Sequence, residues 1–502
     1  MNLTSRIGLF RKYLEDAGLD DKSYQVDGVE WCLRNELLLF DDDNNNNLDK
    51  DTNTIRGGII ADEMGLGKTI TMIGVCVANV MRKTLIILPV ILLEQWAEQI
   101  YKTTGHKPIV YHGYRKKKID LSMLEKSVIV LTTYQTLVTR KNKNGEKPNL
   151  LHSIHWNRLI FDEAHHLRNA KTKMFSGCYA LKSKIRWLMT GTPIQNKEKD
   201  LSSLYLMLRI NIYSNTEDIK NRFILRRTKL DAGIPLPALN YHLEKVKWSN
   251  MNEMNLSKSL HSNFGFTKMN HGEKKIEFDK KEEEEETDLE LSSISNAFSK
   301  GRGAMLRLMT ASKQSCILPK LLKPALDHFV LNGEIDTYER EMVSCSSKMD
   351  AVVFEIMNKR ENKNGKLVFC HYHLEMLYLY QRLVDGGLKV IIYGKMPKNI
   401  GYLGPSICKS NLNELDYDVV IIQIQTGCEG LNLQKYNEVY FVSPHWNPMI
   451  EEQAIARCHR IGQLKPVTVS HFVMDGFDNN KSLDDYILDT QERKRDLIRV
   501  YF

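Results

Sequence analysis

The 502-residue sequence contains no two cysteines in a C-x-x-C arrangement, although it has nine cysteines in all. Zinc ribbons and ring-type zinc sites depend on closely spaced cysteines, and nine cysteines scattered over a chain of this length do not resemble a disulfide framework, so we expect no zinc and a reducing compartment. The sequence also lacks an apolar run long enough to span a membrane, and charged residues recur throughout residues 1–22, unlike a signal peptide. We therefore expect a soluble intracellular protein without membrane association.

No strong excess of either charge is present. The 70 Lys and Arg residues and the 62 Asp and Glu residues leave a net charge of +8. This mild positive charge permits a polyanionic partner without requiring one. A chain of this length exceeds one ordinary hydrophobic core, which predicts two domains with insertions.

Short apolar runs alternate with helix-compatible segments in two stretches of the chain. This alternation predicts an α/β protein whose parallel sheets are covered on both faces, with ligands at the carboxyl ends of the strands. The predicted strands of the first stretch are 58–61, 85–88, 109–111, 128–131, 158–161 and 186–189. Those of the second stretch are 366–370, 389–393, 419–424, 438–442 and 467–473.

Composition divides the chain into five predicted segments. Residues 41–54 (DDDNNNNLDKDTNT) and the acidic run 273–286 are too polar to bury much surface, so we interpret both as disordered. The segments are a helical N-terminal part at 1–56, a first lobe at 57–230, a helical insertion and linker at 231–345, a second lobe at 346–480 and a basic C-terminal helix at 481–502.

A glycine-containing loop follows the first predicted strand and precedes a helix-compatible segment. Its residues are Asp62, Glu63, Met64, Gly65, Leu66, Gly67, Lys68 and Thr69. Backbone N–H groups in such a loop, together with the helix N-terminus, form an anion site. Lys68 is suited to β- and γ-phosphates and the Thr69 hydroxyl to Mg²⁺, although Asp62 replaces the Gly that begins the usual phosphate-loop pattern.

Two other clusters complete a candidate hydrolytic site. Asp162 and Glu163 end an apolar strand, where Asp162 is suited to Mg²⁺ and Glu163 to polarising the attacking water. Arg457 and Arg460 are three residues apart and share a face if they lie on a helix. Two guanidinium groups there are suited to a γ-phosphate, whereas an R-x-x-R pair alone indicates only a basic surface.

In combination these motifs resemble the Swi/Snf family of ATP-dependent DNA translocases, within helicase superfamily two. The resemblance extends from about Tyr24 to Val473, in a compact form similar to those of large DNA viruses. The matching segments are Tyr24-Gln25, Asp62–Thr69, Leu88-Pro89, Leu93–Trp96, Leu131–Tyr134, Asp162–His165, Leu188–Asn196, Leu225–Lys229, Gly430–Gln434, Trp446–Pro448 and Arg457–Gln463.

The resemblance implies two RecA-like lobes, ATP and Mg²⁺ as cofactors and hydrolysis to ADP and phosphate. It implies adenine recognition by Tyr24 and Gln25, further nucleotide contacts at Gly430 and Asn432, and arginine fingers at Arg457 and Arg460. Small donors at strand ends are suited to phosphate oxygens, so we expect contacts to duplex DNA without sequence specificity. The candidate DNA-contacting residues are Thr132, Thr133, Thr190, Thr192 and Trp446, the last of which is equally compatible with a core position.

The expected function is therefore translocation on double-stranded DNA in transcription, repair or genome handling. A transcription or chromatin complex is the expected setting, in the nucleus or, for a viral chain, in the host cytoplasm or virion. Two alternatives remain open: a strand-separating helicase, and an ATP-gated scaffold bound to DNA within a transcription complex.

Overall fold

The computed structural model describes most of the chain, in two compact units. It describes residues 1–39, 50–138, 141–142, 145–146, 149–194, 199–210, 216–262, 289–338, 340–397, 402, 404–407, 416–427, 431–477 and 480–501. The first unit comprises Met1–Pro235 with Leu497–Phe502, and the second comprises Leu236–Asp496. No helix in these ranges is long and apolar enough to cross a membrane.

The first unit is built on a seven-stranded sheet whose paired strands are all parallel, in the order β3-β4-β2-β7-β8-β1-β9. Its strands are β1 (Arg56–Ile60), β2 (Thr84–Leu88), β3 (Ile109–Val110), β4 (Ile129–Thr133), β7 (His155–Asp162), β8 (Lys182–Met189) and β9 (Ile224–Leu225), and a separate hairpin is formed by β5 (Lys141–Asn142) and β6 (Gly145–Glu146).

Helices cover both faces of this sheet. They are α1 (Leu3–Asp16), α2 (Ser23–Leu37), α3 (Lys50–Asn53), α4 (Lys68–Ala78), α5 (Leu93–Thr104), α6 (Leu121–Lys126), α7 (Tyr134–Leu137), α8 (Lys173–Tyr179), α9 (Lys199–Leu208) and α10 (Thr216–Phe223). Successive strand residues enter opposite cores, as Ile59 and Ile60 of β1 do. Burial on both faces explains why these strands are continuous apolar runs.

The second unit contains another seven-stranded parallel sheet, in the order β10-β16-β15-β11-β14-β12-β13. Its strands are β10 (Leu239–Val246), β11 (Gly365–Cys370), β12 (Val390–Tyr393), β13 (Ser406–Ile407), β14 (Val419–Gln423), β15 (Tyr436–Phe441) and β16 (Val467–Met474). Two parallel-sheet units confirm the predicted α/β class.

The helices of the second unit form two groups. Those beside the sheet are α15 (Ser347–Asn358), α16 (His373–Asp385), α17 (Ile424–Gly427), α18 (Pro448–Ile455) and α19 (Leu483–Tyr501), of which residues 483–496 belong to this unit. Those that pack around a separate cluster with Leu256, Leu308 and Leu326 are α11 (Met251–His261), α12 (Leu289–Phe298), α13 (Ala304–Ile317) and α14 (Lys323–Leu331). This second group lies in the segment expected to be a helical insertion.

Two elements differ from the sequence-based expectations. Strand β10 lies in the segment interpreted as helical, and it pairs with β16 over its whole length. Residues 50–53 of the Asn/Asp-rich stretch form α3, with Thr52 buried, so the interpretation of that part as disordered was wrong. Residues 41–49 and the acidic run 273–286 lie outside the described residues.

A buried ion pair lies beneath the first sheet. Both Arg158 and Glu36 have side chains that are 0% exposed, and the guanidinium binds both carboxylate oxygens at 2.6 Å. Trp187 Nε1 and Asn79 Nδ2 also donate to Glu36, at 2.8 and 2.7 Å. The carboxylate is therefore fully compensated, as a buried charge must be.

Replacing Glu36 with glutamine is expected to lower the free energy of unfolding by about 3–5 kcal/mol, because Arg158 would lose its buried counter-charge. The control is Glu30→Gln on the same helix, whose exposed pair with Arg34 is expected to contribute less than about 1 kcal/mol. Urea unfolding of both variants measures the difference. Equal midpoints for the two variants would contradict this account.

Candidate active site

The phosphate-loop residues form a turn between β1 and α4. Gly65 and Gly67 have φ angles of 95° and 79°, in the left-handed region that favours glycine. Gly67 is also the N-cap of α4, so the loop's N–H groups and the helix N-terminus lie at one place. Lys68 Nζ donates to the backbone oxygens of Asp62 and Glu63, at 2.7 and 3.3 Å. Thr69 is the second residue of α4 and is half-buried.

The predicted adenine-reading segment contacts this loop from helix α2. Gln25 is buried, and its Nε2 donates to the backbone oxygen of Leu66 at 3.3 Å. A Cβ at Gly67 would lie only 2.5 Å from that nitrogen, so the close approach also requires glycine. Tyr24 precedes Gln25 on the helix and is buried.

The predicted carboxylate pair lies at the end of β7, and β7 is separated from β1 by β8 alone. Asp162 is buried and accepts hydrogen bonds from Trp96 Nε1 at 2.7 Å and from the Glu163 backbone N–H at 2.9 Å. Burial, together with the adjacent Glu163 carboxylate, raises the pKa of Asp162. Glu163 adopts the left-handed conformation with φ 50°.

Several residues that hold these groups were not singled out from the sequence. Trp96 and Tyr134 position Asp162, since the Tyr134 hydroxyl donates to its backbone oxygen at 2.6 Å. His165 lies 3.2 Å from a Glu163 carboxylate oxygen through Nδ1. A Cβ at Gly191 would be 3.0 Å from Met64 Cγ and 3.5 Å from Lys68 Nζ. These residues lie in sequence segments that resemble the family, and this resemblance was the only sequence feature that pointed to them. They are Trp96, Tyr134, His165 and Gly191.

The four threonines proposed to contact DNA are buried, with exposures between 0 and 4%. Thr132 Oγ1 donates to the Tyr111 backbone oxygen at 3.0 Å, and Thr133 Oγ1 lies 2.9 Å from Thr136 Oγ1. Thr190 Oγ1 accepts from the backbone N–H of Thr192 at 3.1 Å. Buried hydroxyls that already bond within the protein do not support direct phosphate contacts, so this assignment remains a prediction.

In the second unit, the Trp-Asn-Pro segment begins helix α18. The Asn447 side chain accepts from the Met449 backbone N–H at 3.1 Å, and Pro448 occupies the first turn. These are the residue types that favour a helix start. Trp446 is half-buried, with its ring 6.2 Å from that of Tyr486. Its position is compatible with both a packing and a binding role.

Arg457 and Arg460 follow α18 instead of lying on it, so the condition for a shared helical face is not met. The helix ends at Ile455, and the Arg457 backbone oxygen accepts from Leu433 N–H at 3.0 Å. Arg460 Nε is buried and has no hydrogen-bond partner among the described residues. Burial, together with the neighbouring Arg457 charge, lowers the pKa of Arg460. A nearby anion would stabilise the positive charge of such a guanidinium.

The two other predicted nucleotide contacts are Gly430 and Asn432. Asn432 is exposed, and Gly430 lies outside the described residues.

Where the chain is described, no cluster of three or more His, Cys, Asp or Glu side chains is placed to hold a metal ion. The seven cysteines in that part are free thiols: Cys32, Cys76, Cys178, Cys316, Cys345, Cys370 and Cys458.

The first unit therefore has the features of a nucleotide hydrolase: a phosphate loop and a carboxylate pair at the carboxyl edge of one parallel sheet. Comparison with known families agrees. Residues 24–319 match the model of the SNF2-related domain, and residues 347–462 match the helicase conserved C-terminal domain. The chain belongs to the SNF2-related family of ATP-dependent, helicase-like ATPases.

Curated relatives include viral and cellular proteins. The chain is 25% identical to the "Probable global transactivator" of Orgyia pseudotsugata multicapsid polyhedrosis virus, over 95% of this chain and 91% of that protein. It is 24% identical to the "DNA excision repair protein ERCC-6-like" of Danio rerio, over 88% of this chain but only 34% of the relative. It is 25% identical to the "ISWI chromatin-remodeling complex ATPase ISW2" of Saccharomyces cerevisiae, over 92% of this chain and 40% of the relative.

A solved structure, "Sulfolobus solfataricus SWI2/SNF2 ATPase core in complex with dsDNA", is similar to 95% of this chain at 23% identity. The match covers 92% of that chain. The TM-score of the match is 0.38.

Proposed function

We propose that this protein is an ATP-dependent translocase on double-stranded DNA that acts in transcription, repair or genome handling. The observation that carries the proposal is the placement of Lys68, Asp162 and Glu163 at one edge of a parallel sheet, in a chain of this family. The names of the relatives, with their references to DNA repair and chromatin remodelling, support the choice of DNA.

Each group of the first unit has a role in the proposed reaction. The loop's N–H groups and Lys68 bind the phosphates, and Gln25 supports the loop from the base-reading helix. Glu163 orients and polarises the attacking water. The oxygens of Thr69 and Asp162 are of the type that Mg²⁺ prefers. A bound Mg²⁺ supplies charge neutralisation at the β- and γ-phosphates.

Arg457 and Arg460 are proposed as the arginine fingers of the reaction. Their role is to stabilise charge on the γ-phosphate during hydrolysis. Phosphate-backbone contacts without base recognition account for the proposed lack of sequence specificity. We propose that the protein is located with the DNA on which it acts: in the nucleus or, for a viral chain, in the host cytoplasm or virion.

The translocase proposal predicts that the protein displaces a third strand from a DNA triplex in the presence of ATP. A translocase moving along the duplex pushes the third strand off without separating the two strands beneath it. Electrophoresis of labelled triplex and forked-duplex substrates distinguishes the alternatives, with Lys68→Ala as the inactive control. Separation of the forked duplex would establish the helicase alternative, and hydrolysis without either event would favour the ATP-gated scaffold.

A further inference from the structure

The end of the first unit pairs with the phosphate loop beyond strand β9. The backbone N–H of Ala61 donates to the Leu225 oxygen at 2.7 Å, and that of Glu63 donates to the Arg227 oxygen at 2.8 Å. The segment 225–229 therefore continues alongside the loop after the regular strand pairing has ended.

Two ion pairs reinforce the backbone pairing. Arg227 binds both oxygens of the Asp62 carboxylate, Nε to Oδ1 at 3.0 Å and Nη2 to Oδ2 at 2.5 Å. Asp62 is only 1% exposed, so this charge depends on Arg227 for compensation. Lys229 Nζ lies 3.0 Å from a Glu63 carboxylate oxygen, and its backbone N–H donates to the other at 2.8 Å.

Arg227 also contacts the helix that carries the adenine-reading residues. Its Nη1 donates to the Tyr24 backbone oxygen, and its guanidinium lies 5.7 Å from the centre of the Tyr24 ring. A Cβ at Gly28 would be 2.7 Å from Nη2, so glycine is needed there for the guanidinium to fit. One side chain thus joins helix α2 to the phosphate loop.

We propose that Arg227 is a positioning residue that fixes the distance between the adenine-reading helix and the phosphate loop. This inference rests on the proposed nucleotide site and adds a determinant of its affinity. It also assigns a role to Asp62, the residue that departs from the usual phosphate-loop pattern. A ligand that spans base and phosphates benefits from this preorganisation, whereas a ligand that occupies only the phosphate loop does not.

Calorimetric titration of the full chain with ATP and with inorganic tripolyphosphate tests the proposal. Arg227→Gln is expected to weaken ATP binding about tenfold more than tripolyphosphate binding, because both ligands lose the nearby positive charge but only ATP depends on the distance between helix and loop. Arg227→Lys should fall between Arg227→Gln and the natural protein, because lysine keeps the charge but loses the bidentate geometry. Arg34→Gln removes an arginine–glutamate pair within α2 alone and serves as the matched control.

The contrast between the two ligands separates positioning from general damage to the fold. Equal weakening of ATP and tripolyphosphate, or unchanged affinity for ATP, would overturn the proposal. If Arg227→Gln does not fold, Arg227→Lys alone decides between these outcomes. The test needs binding and no turnover, so a protein that binds ATP selectively but is not stimulated by DNA would contradict the proposed function and leave this inference intact.

Discussion

Arg460→Ala is expected to lower ATP turnover by about 10³-fold, the scale of losing an arginine finger. The proposal rests on the buried Nε of Arg460, which has no hydrogen-bond partner in the described chain, and on the adjacent Arg457 charge. ATP binding should persist, because the phosphate loop lies in the first unit. Steady-state turnover and calorimetric binding of ATP measure the two effects separately.

The control for Arg460 is Arg382→Ala, which removes an exposed arginine paired with Asp350 on the same unit. It should leave both turnover and ATP binding within experimental error of the natural protein. Unchanged turnover in Arg460→Ala would remove the finger assignment. A parallel loss of ATP binding would instead indicate that the arginine contributes to binding before the reaction.

Glu163→Gln is expected to reduce turnover by about 10²- to 10⁴-fold, the range attributed to a positioned general base. The substitution preserves size and shape but removes the charge that is proposed to polarise water and that lies beside His165. ATP binding should change little, since Lys68 and the loop remain. Single-turnover hydrolysis isolates the chemical step from product release.

Glu125→Gln provides the matched substitution for Glu163, because it changes an exposed glutamate on α6 in the same unit. It is expected to hydrolyse ATP at the natural rate. Retention of more than about a tenth of natural activity in Glu163→Gln would argue against a general base at this position.

Most strands could be predicted from the sequence because both faces of each sheet are covered, which makes the central strands apolar throughout. The β2 and β14 sequences, like other central strands, are apolar on both faces, and this leaves an uninterrupted run in the sequence. Strand β10 has six consecutive exposed residues and a mixed sequence, LNYHLEKV, so no apolar run or clean alternation marks it. The two-residue strands β9 and β13 are too short for any periodicity to indicate them.

The candidate site was only partly predictable, for a related reason. Lys68, Asp162 and Glu163 belong to short sequence motifs, and a few neighbouring residues are enough to indicate their chemical roles. The contact between Arg227 and Asp62 joins positions 165 residues apart, which no local pattern indicates. The spacing of Arg457 and Arg460 would place them on one face of a helix, but spacing alone does not show that the helix ends at Ile455. There, the Arg457 carbonyl bonds to Leu433 rather than within a helix.

The rate of ATP hydrolysis by the purified natural chain, with and without double-stranded DNA, tests the central claim most directly. Translocation couples each step on the duplex to turnover, so duplex of any sequence should stimulate hydrolysis strongly, and Lys68→Ala should abolish the signal. Hydrolysis at the same rate with duplex, with single strands and without nucleic acid would contradict this account.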